Sequence, residues 1–120
     1  MKIFKKQIIA QVGLDSCGIQ IAPEVFKECV KNLKNKRLPI TDNFDDNPPV
    51  GCMTNFEFKD GKIFANLNLL DDRTFDPIVS CAFEMLDSVK LNKNTREITK
   101  CKLIEGGLVD TTNYRERYLL

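Results

Sequence analysis

The sequence predicts one α+β domain, a mostly antiparallel, barrel-like sheet with one main helix over about residues 23–36. Three observations support this fold class. The segments on both sides of Asp60-Gly61 alternate between apolar and polar residues, as hairpin strands do. Apolar residues after Pro23 recur at helical spacing instead. The length of 120 residues fits a single domain, residues 1–120, with a core that needs neither metals nor disulfides.

The composition argues against several functions. The 18 Lys and Arg residues against 17 Asp and Glu give a net charge of +1, too little to attract a phosphate backbone. No apolar run approaches the roughly 20 residues that span a bilayer. The chain has no His, which is the usual general base at neutral pH and the commonest metal ligand. We therefore expect no nucleic-acid or membrane partner, no metal and no cofactor.

The cysteine pattern predicts a reducing compartment. The number of cysteines is odd, they are widely spaced and no CxxC pair occurs, which excludes a zinc knuckle or a thioredoxin-type motif. The apolar stretch near the N-terminus is too short for a signal peptide. We expect thiols that serve mostly as small core side chains, at Cys17, Cys29, Cys52, Cys81 and Cys101.

The first part of the chain predicts a strand, a turn and the main helix. Residues 2–12 are rich in Ile and Phe, and residues 13–18 form a glycine-flanked turn. Pro23 suits the first helical position, because its missing N–H has no partner there. The helix has to end before Pro39. Its apolar face consists of Val25, Phe26, Cys29, Val30 and Leu33.

The middle of the chain predicts an acidic loop and a hairpin. Residues 41–49 are polar, and their carboxylates at Asp42, Asp45 and Asp46 lack the ligand spacing of a calcium loop, so we expect a solvated loop. Asp60-Gly61 predicts a type I′ turn between residues 50–59 and 62–70. The buried face of the second strand is predicted at Ile63, Ala65, Leu67 and Leu69.

The last part of the chain leaves alternatives open. Residues 75–91 fit either a buried strand or a short helix, and residues 97–110 predict a strand with a bulge at Gly106-Gly107. The charged tail, residues 111–120, fits either a contact helix for a partner or a segment packed on the domain. The residues assigned to partner binding are Tyr114, Arg115, Tyr118, Leu119 and Leu120.

Short motifs follow one another over most of the chain. They are GLDSCG at 13–18, IAPEVF at 21–26, PVGCMT at 49–54, FKDGKIFA at 58–65, VSCAF at 79–83, and LIEGGLV at 103–109 followed by Asn113. In this order they resemble the motifs of the tailed-phage prohead (head maturation) proteases.

The resemblance implies a herpesvirus-protease-like fold, with a serine nucleophile and a histidine base. Ser80 falls at the nucleophile position. The family's histidine precedes its Pro-x-Gly motif, where this chain has Asp42 and Asn43 and no histidine. Gly106-Gly107 stands where the family carries a side-chain hydroxyl. The resemblance therefore implies a vestigial nucleophile, a former base position near Asp42 and Asn43, and no catalytic residues.

These implications favour a non-catalytic virion protein, an auxiliary or decoration protein that binds a phage capsid. Its partner would be the major capsid protein or another virion component, assembled in the host cytoplasm, and its attachment would use apolar strand edges and the tail. One alternative is an active maturation protease with an altered site and Ser80 or Cys81 as nucleophile. The other is an accessory or inhibitor protein that binds a non-capsid partner.

Overall fold

The computed structural model describes residues 2–11, 13–14, 18–70 and 79–108. Most of this part of the chain is strand, with one helix. The elements are β1 (Lys2–Gln11), β2 (Gly13–Leu14), β3 (Ile19–Ile21), α1 (Pro23–Lys31), β4 (Leu38–Asp42), β5 (Gly51–Lys59), β6 (Lys62–Leu69), β7 (Val79–Lys90) and β8 (Arg96–Leu108).

The strands form a single curled sheet centred on β8. Its order is β1-β6-β5-β4-β8-β3-β2, and β7 pairs with the remaining edge of β8. β3 and β4 run parallel to β8, whereas the other pairs are antiparallel. The sheet is a half-barrel, with β1 and β7 approaching each other. The expected barrel-like sheet with one helix is thus confirmed in outline, but the sheet is mixed.

Three bulges curl the sheet on either side of β6. The register of β1 shifts at Lys6, which has φ 50°, and again between Ile8 and Ala10. The register of β5 shifts at Asn55, which has φ 54°. The backbone N–H of Lys6 donates to Asn66 Oδ1 of β6 at 3.0 Å, which satisfies a donor that the bulge removes from the ladder. Bulges bend and twist strands, so these sites account for the curvature.

The core lies between the concave face of the sheet and α1. The predicted alternation in β6 is confirmed, since Ile63, Ala65, Leu67 and Leu69 are all fully buried. From α1, Phe26 stacks on Phe83 of β7 with ring centroids 5.5 Å apart. The helix therefore packs on the sheet through its predicted apolar face, where Phe26, Cys29 and Leu33 are buried and Val30 is half-buried.

The helix is shorter than predicted. It begins at Pro23 as expected but ends at Lys31 rather than near residue 36. The following turn is tighter, with Leu33 N–H donating to Val30 O at 3.0 Å, and Asn35 has φ 61°. Asn is a poor helix former that tolerates the left-handed conformation. Leu33 packs in the core although it lies beyond the end of α1. The apolar stripe of the sequence therefore extends past the helix, which is why it predicts too long a helix.

The hairpin prediction is confirmed. Asp60 and Gly61 have φ of 53° and 74°, the positive values at both central positions that a type I′ turn requires. The segment 75–91, left open between strand and helix, contains strand β7 from Val79 onward. Residues 71–78 lie outside the described ranges.

Two local expectations were wrong. The predicted loop of residues 41–49 begins later, because Thr41 and Asp42 belong to β4, which is held between β5 and β8. The bulge predicted at Gly106-Gly107 lies instead at Ile104, and both glycines stay in register with β7. Pairing with β5 and β8 explains why Thr41 and Asp42 are strand residues. Gly106 and Gly107 are glycines because neighbouring side chains pack closely against them, and this requires no bulge.

Candidate functional site

Ser80 and the segment around Asp42, the two positions to which the resemblance points, lie on either side of β8. Ser80 of β7 is in register with Gly107 of β8, which is in register with Thr41 of β4. Residues in register on neighbouring strands project from the same face. Ser80 and Thr41 therefore flank Gly107, roughly 10 Å apart at two strand spacings. We call Thr41, Gly107 and Ser80 the serine row.

The serine row is buried although it faces away from the main core. Val79 and Cys81, the neighbours of Ser80 in β7, are buried on the core side. Strand alternation turns Ser80 to the opposite face, yet it is only 2% exposed, and Thr41 is only 6% exposed. A covering layer therefore lies over this face.

Phe44 is part of that layer. A Cβ atom at Gly107 would lie 2.6 Å from Phe44 Cε2 and 2.7 Å from Phe44 Cζ. The ring thus occupies the space that a side chain at residue 107 would need. The resemblance places a hydroxyl-bearing side chain of the family at Gly106-Gly107, and at Gly107 of this chain an aromatic ring fills the space.

A strained turn holds Phe44 in this position. Asn43 and Phe44 have φ of 51° and 59°, and Asp45 N–H donates to Asp42 O at 3.1 Å, which closes a type I′ turn. The Asn43 N–H donates to Leu108 O at 2.9 Å and ties the turn to the end of β8. The left-handed conformation is ordinary for Asn but costs an aromatic residue about 1–2 kcal/mol.

Asp42, which the resemblance places near the family's base, projects away from the face that carries Ser80. Asp42 follows Thr41 in β4, so its side chain projects from the opposite face, and it is solvent-exposed. Thr41 Oγ1 donates to the carbonyl oxygen of Gly106 at 3.4 Å, a long hydrogen bond. Cys81, the alternative nucleophile, is fully buried on the core side, away from the row. The structure brings the backbone segments that the resemblance names to neighbouring positions on either side of β8.

A second cluster lies under α1 and was missed at the sequence level. Cys29 Sγ of α1 lies 3.2 Å from Cys101 Sγ of β8, and the Cys29 thiol donates to the Cys101 carbonyl oxygen at 3.0 Å. In the chain, α1 connects β3 to β4. Because β3 pairs with the start of β8 and β4 with its end, α1 crosses over β8 and brings Cys29 against Cys101. The sequence did signal that both thiols are buried. It gave no sign of their contact, because 72 residues separate them.

The two thiols of this dithiol pair differ in acidity. The hydrogen bond from the Cys101 thiol is the largest cause that lowers the pKa of Cys29, and the Leu103 backbone N–H adds to it, against burial and the charge of Glu28. The same hydrogen bond, followed by burial, raises the pKa of Cys101. Cys29 therefore ionises first, while Cys101 retains its proton as the donor.

The dithiol pair lines a groove of about 610 Å³ between α1 and β8. Its other lining residues include the cationic side chains of Lys36, Lys100 and Lys102 against one carboxylate, Glu28. The groove is thus bordered by both cysteine residues and by an excess of positive charge.

Exposed apolar side chains follow the far half of β7 and continue to Leu91, just after the strand. Met85 is in register with Cys101, which faces α1, whereas Val89 is in register with Glu97, so these two side chains project from opposite faces of the strand. Met85, Leu86, Val89 and Leu91 are between 46% and 51% exposed. In the described part of the chain, β8 is the one strand that pairs with β7. The register shift between Met85 and Asp87 places a bulge at Leu86, and bulges interrupt the edge that an added strand would need. We call these four side chains the β7 patch.

Several expectations concern residues outside the ranges that the structure describes. Tyr114, Arg115, Tyr118, Leu119 and Leu120 lie outside the described ranges, as does Cys17. Within those ranges, no three side chains of His, Cys, Asp or Glu are arranged as metal ligands would be. None of the described residues belongs to a helix long and apolar enough to cross a membrane.

Comparison with known proteins adds no relative. No protein-family model, curated protein or solved structure matches this chain.

Proposed function

We propose that this chain is a non-catalytic auxiliary or decoration protein of a phage capsid, built on a degenerate prohead-protease-like scaffold. The observation that carries the proposal is the closed serine row, in which the Phe44 ring fills the space over Gly107, the residue in register with Ser80, in a chain that has no histidine. The resemblance accounts for the position of Ser80 and the segment near Asp42 on either side of β8, and the close packing over Gly107 supports a non-catalytic role.

A lysine base would not rescue catalysis. Lowering a lysine pKa from about 10.4 to near 7 requires roughly 4–5 kcal/mol of differential burial. All the lysines of the chain fall in the described ranges, and none of them is buried. Ser80 and Thr41 are themselves nearly inaccessible, so a peptide bond could not approach the serine hydroxyl without displacing the covering layer.

The β7 patch supports a binding role. Its apolar side chains are concentrated between Met85 and Leu91, where a solvated strand would carry polar residues. Because the bulge at Leu86 interrupts the strand edge, packing of side chains against an apolar capsid surface fits this region better than addition of a strand. The capsid protein, or another virion component, is the partner that we propose for this surface.

The test is association with assembled heads. Purified full-length chain is mixed with heads that lack it, and co-sedimentation is measured with mass spectrometry of the pellet. We expect saturable binding that falls at least tenfold when Met85→Glu and Val89→Glu are combined. Ile3→Glu with Ile8→Glu is the matched control, since these side chains are also exposed but belong to β1.

Two outcomes would overturn the proposal. Absence of the chain from native heads by mass spectrometry would exclude a virion role, and pull-down of a non-capsid protein by the β7 patch would favour the accessory or inhibitor alternative. Cleavage of a capsid precursor on co-expression, lost with Ser80→Ala, would establish the protease alternative instead.

A further inference from the structure

We propose that Cys29 and Cys101 form a redox-active dithiol whose substrate is a small anionic disulfide, such as oxidised glutathione, and that its oxidation links α1 to β8 through a disulfide bond. This site is separate from the serine row and borders the β7 patch, because Leu86 of the patch also lines the groove. It goes beyond the proposed function and does not depend on it.

The first support is the distance between the sulfur atoms. A disulfide bond is about 2.05 Å long, so the sulfur atoms, now 3.2 Å apart, need to approach by roughly 1.2 Å. Rotation about the Cα–Cβ bonds of the two cysteines changes the distance between their sulfur atoms on this scale. The pair is therefore already placed for closure, on two elements that the sheet holds in contact.

The second support is the order of reactivity. The Cys101 thiol and the Leu103 N–H favour the thiolate of Cys29, the form that attacks a disulfide. Once Cys29 is capped as a mixed disulfide, it no longer carries the charge that held the proton on Cys101. Cys101 then becomes the resolving thiol, which fits its position as the neighbour of Cys29.

The third support is the groove that both cysteine residues line. Cys29 and Cys101 border it with the small part of each residue that is exposed, 4% and 8%. Lys36, Lys100 and Lys102 outnumber Glu28 among its lining residues. A carboxylate-bearing disulfide is attracted by this excess of positive charge, whereas a cationic disulfide is repelled. The volume of about 610 Å³ suits a small molecule rather than a protein domain.

The reaction balances in two exchange steps. The Cys29 thiolate attacks one sulfur of oxidised glutathione, which forms a mixed disulfide and releases one glutathione thiolate. Cys101 loses its proton to solvent and attacks the Cys29 sulfur, which releases the second glutathione thiolate. Two electrons pass from the protein to the glutathione pair, and the released thiolates take up protons.

The experiment oxidises the folded, full-length chain with oxidised glutathione at neutral pH, blocks remaining thiols and maps disulfides by non-reducing peptide mass spectrometry. We expect the Cys29–Cys101 link to be the dominant product. Cys101→Ser should accumulate glutathione on Cys29, because the resolving thiol is missing. Cys29→Ser should leave Cys101 largely unmodified, and Cys52→Ser is the matched control that keeps the link.

A second measurement tests the substrate class. At low salt, oxidised glutathione should form the link several-fold faster than neutral hydroxyethyl disulfide, after correction for the reactivity of each with a free thiol. The advantage should shrink at high salt and in a Lys100→Gln, Lys102→Gln variant.

Clear results would overturn the proposal. A link between other cysteines in the folded protein, no link at all while circular dichroism shows a folded chain, or equal modification of Cys29→Ser and Cys101→Ser would each refute the dithiol. Equal rates with both disulfides would refute the anionic substrate.

Discussion

The packing of Phe44 on Gly107 gives a sharp prediction. In Gly107→Ala, the new Cβ would lie 2.6–2.8 Å from three atoms of the Phe44 ring. Carbon atoms prefer separations of about 3.5–4.0 Å, so the ring or the strand has to move by roughly 1 Å. The ring cannot move freely, because Asn43 N–H and Asp45 N–H fix its turn by hydrogen bonds. We expect Gly107→Ala to lower the free energy of unfolding by about 1–3 kcal/mol, the usual cost of overpacking.

The expected clash involves both the new methyl group at residue 107 and the Phe44 ring, so a double-mutant cycle of these two residues isolates its energy. In a Phe44→Ala background the same Gly107→Ala change should cost less than about 0.5 kcal/mol, since the ring that it meets is gone. Alanine keeps the left-handed strain of residue 44, so the comparison concerns the ring alone. Gly106→Ala is the matched control, because its Cβ would meet Val79 and Met53 rather than Phe44.

Urea unfolding followed by circular dichroism measures all these variants. With a slope of about 2 kcal/mol/M, the expected loss moves the midpoint of Gly107→Ala by roughly 1 M. Phe44→Ala should remove this shift and leave that of Gly106→Ala unchanged. An equal cost of Gly107→Ala with and without the ring would refute the close packing on which the closed serine row rests.

Two further predictions concern the hairpin turn and the dithiol pair. Gly61→Val should lower the melting temperature by several degrees and Gly61→Asn by less. The reason is that φ at this position is 74°, and β-branched residues resist the left-handed region. Equal melting temperatures of the two variants would contradict the type I′ turn. Cys101→Ala should raise the pKa of Cys29, because it removes the thiol that donates to the Cys29 sulfur. The pH midpoint of Cys29 alkylation by iodoacetamide, measured by mass spectrometry with Cys52 as internal reference, should then move upward, and a downward move would contradict the assigned donor.

Local patterns accounted for the elements whose packing is decided by their own residues. The alternation of β6 and the Asp60-Gly61 turn appear in the structure as predicted. The start of α1 at Pro23 also agrees, because Pro suits a position where no N–H is needed. The C-terminal end of the helix did not agree, since the apolar stripe continues to Leu33 through a turn that is no longer α-helical.

The candidate site was only partly open to sequence reasoning. Motif order directed attention to Ser80 and to the segment near Asp42, which the structure does bring to either side of β8. Nothing in the chain indicated that Phe44 would lie over Gly107. An aromatic residue with positive φ runs against local preference, so only the contacts of the folded state hold it there.

The amino-acid sequence by itself determined that the chain has no histidine, that its hairpin turns at Asp60-Gly61 and that one helix carries an apolar face. Only the tertiary structure decided that β3 and β4 run parallel to β8, that an aromatic ring closes the serine row, and that Cys29 meets Cys101. The physical reason is range. Turn chemistry and side-chain periodicity act between neighbours along the chain, whereas these contacts join residues far apart in sequence, whose meeting depends on how the whole sheet curls.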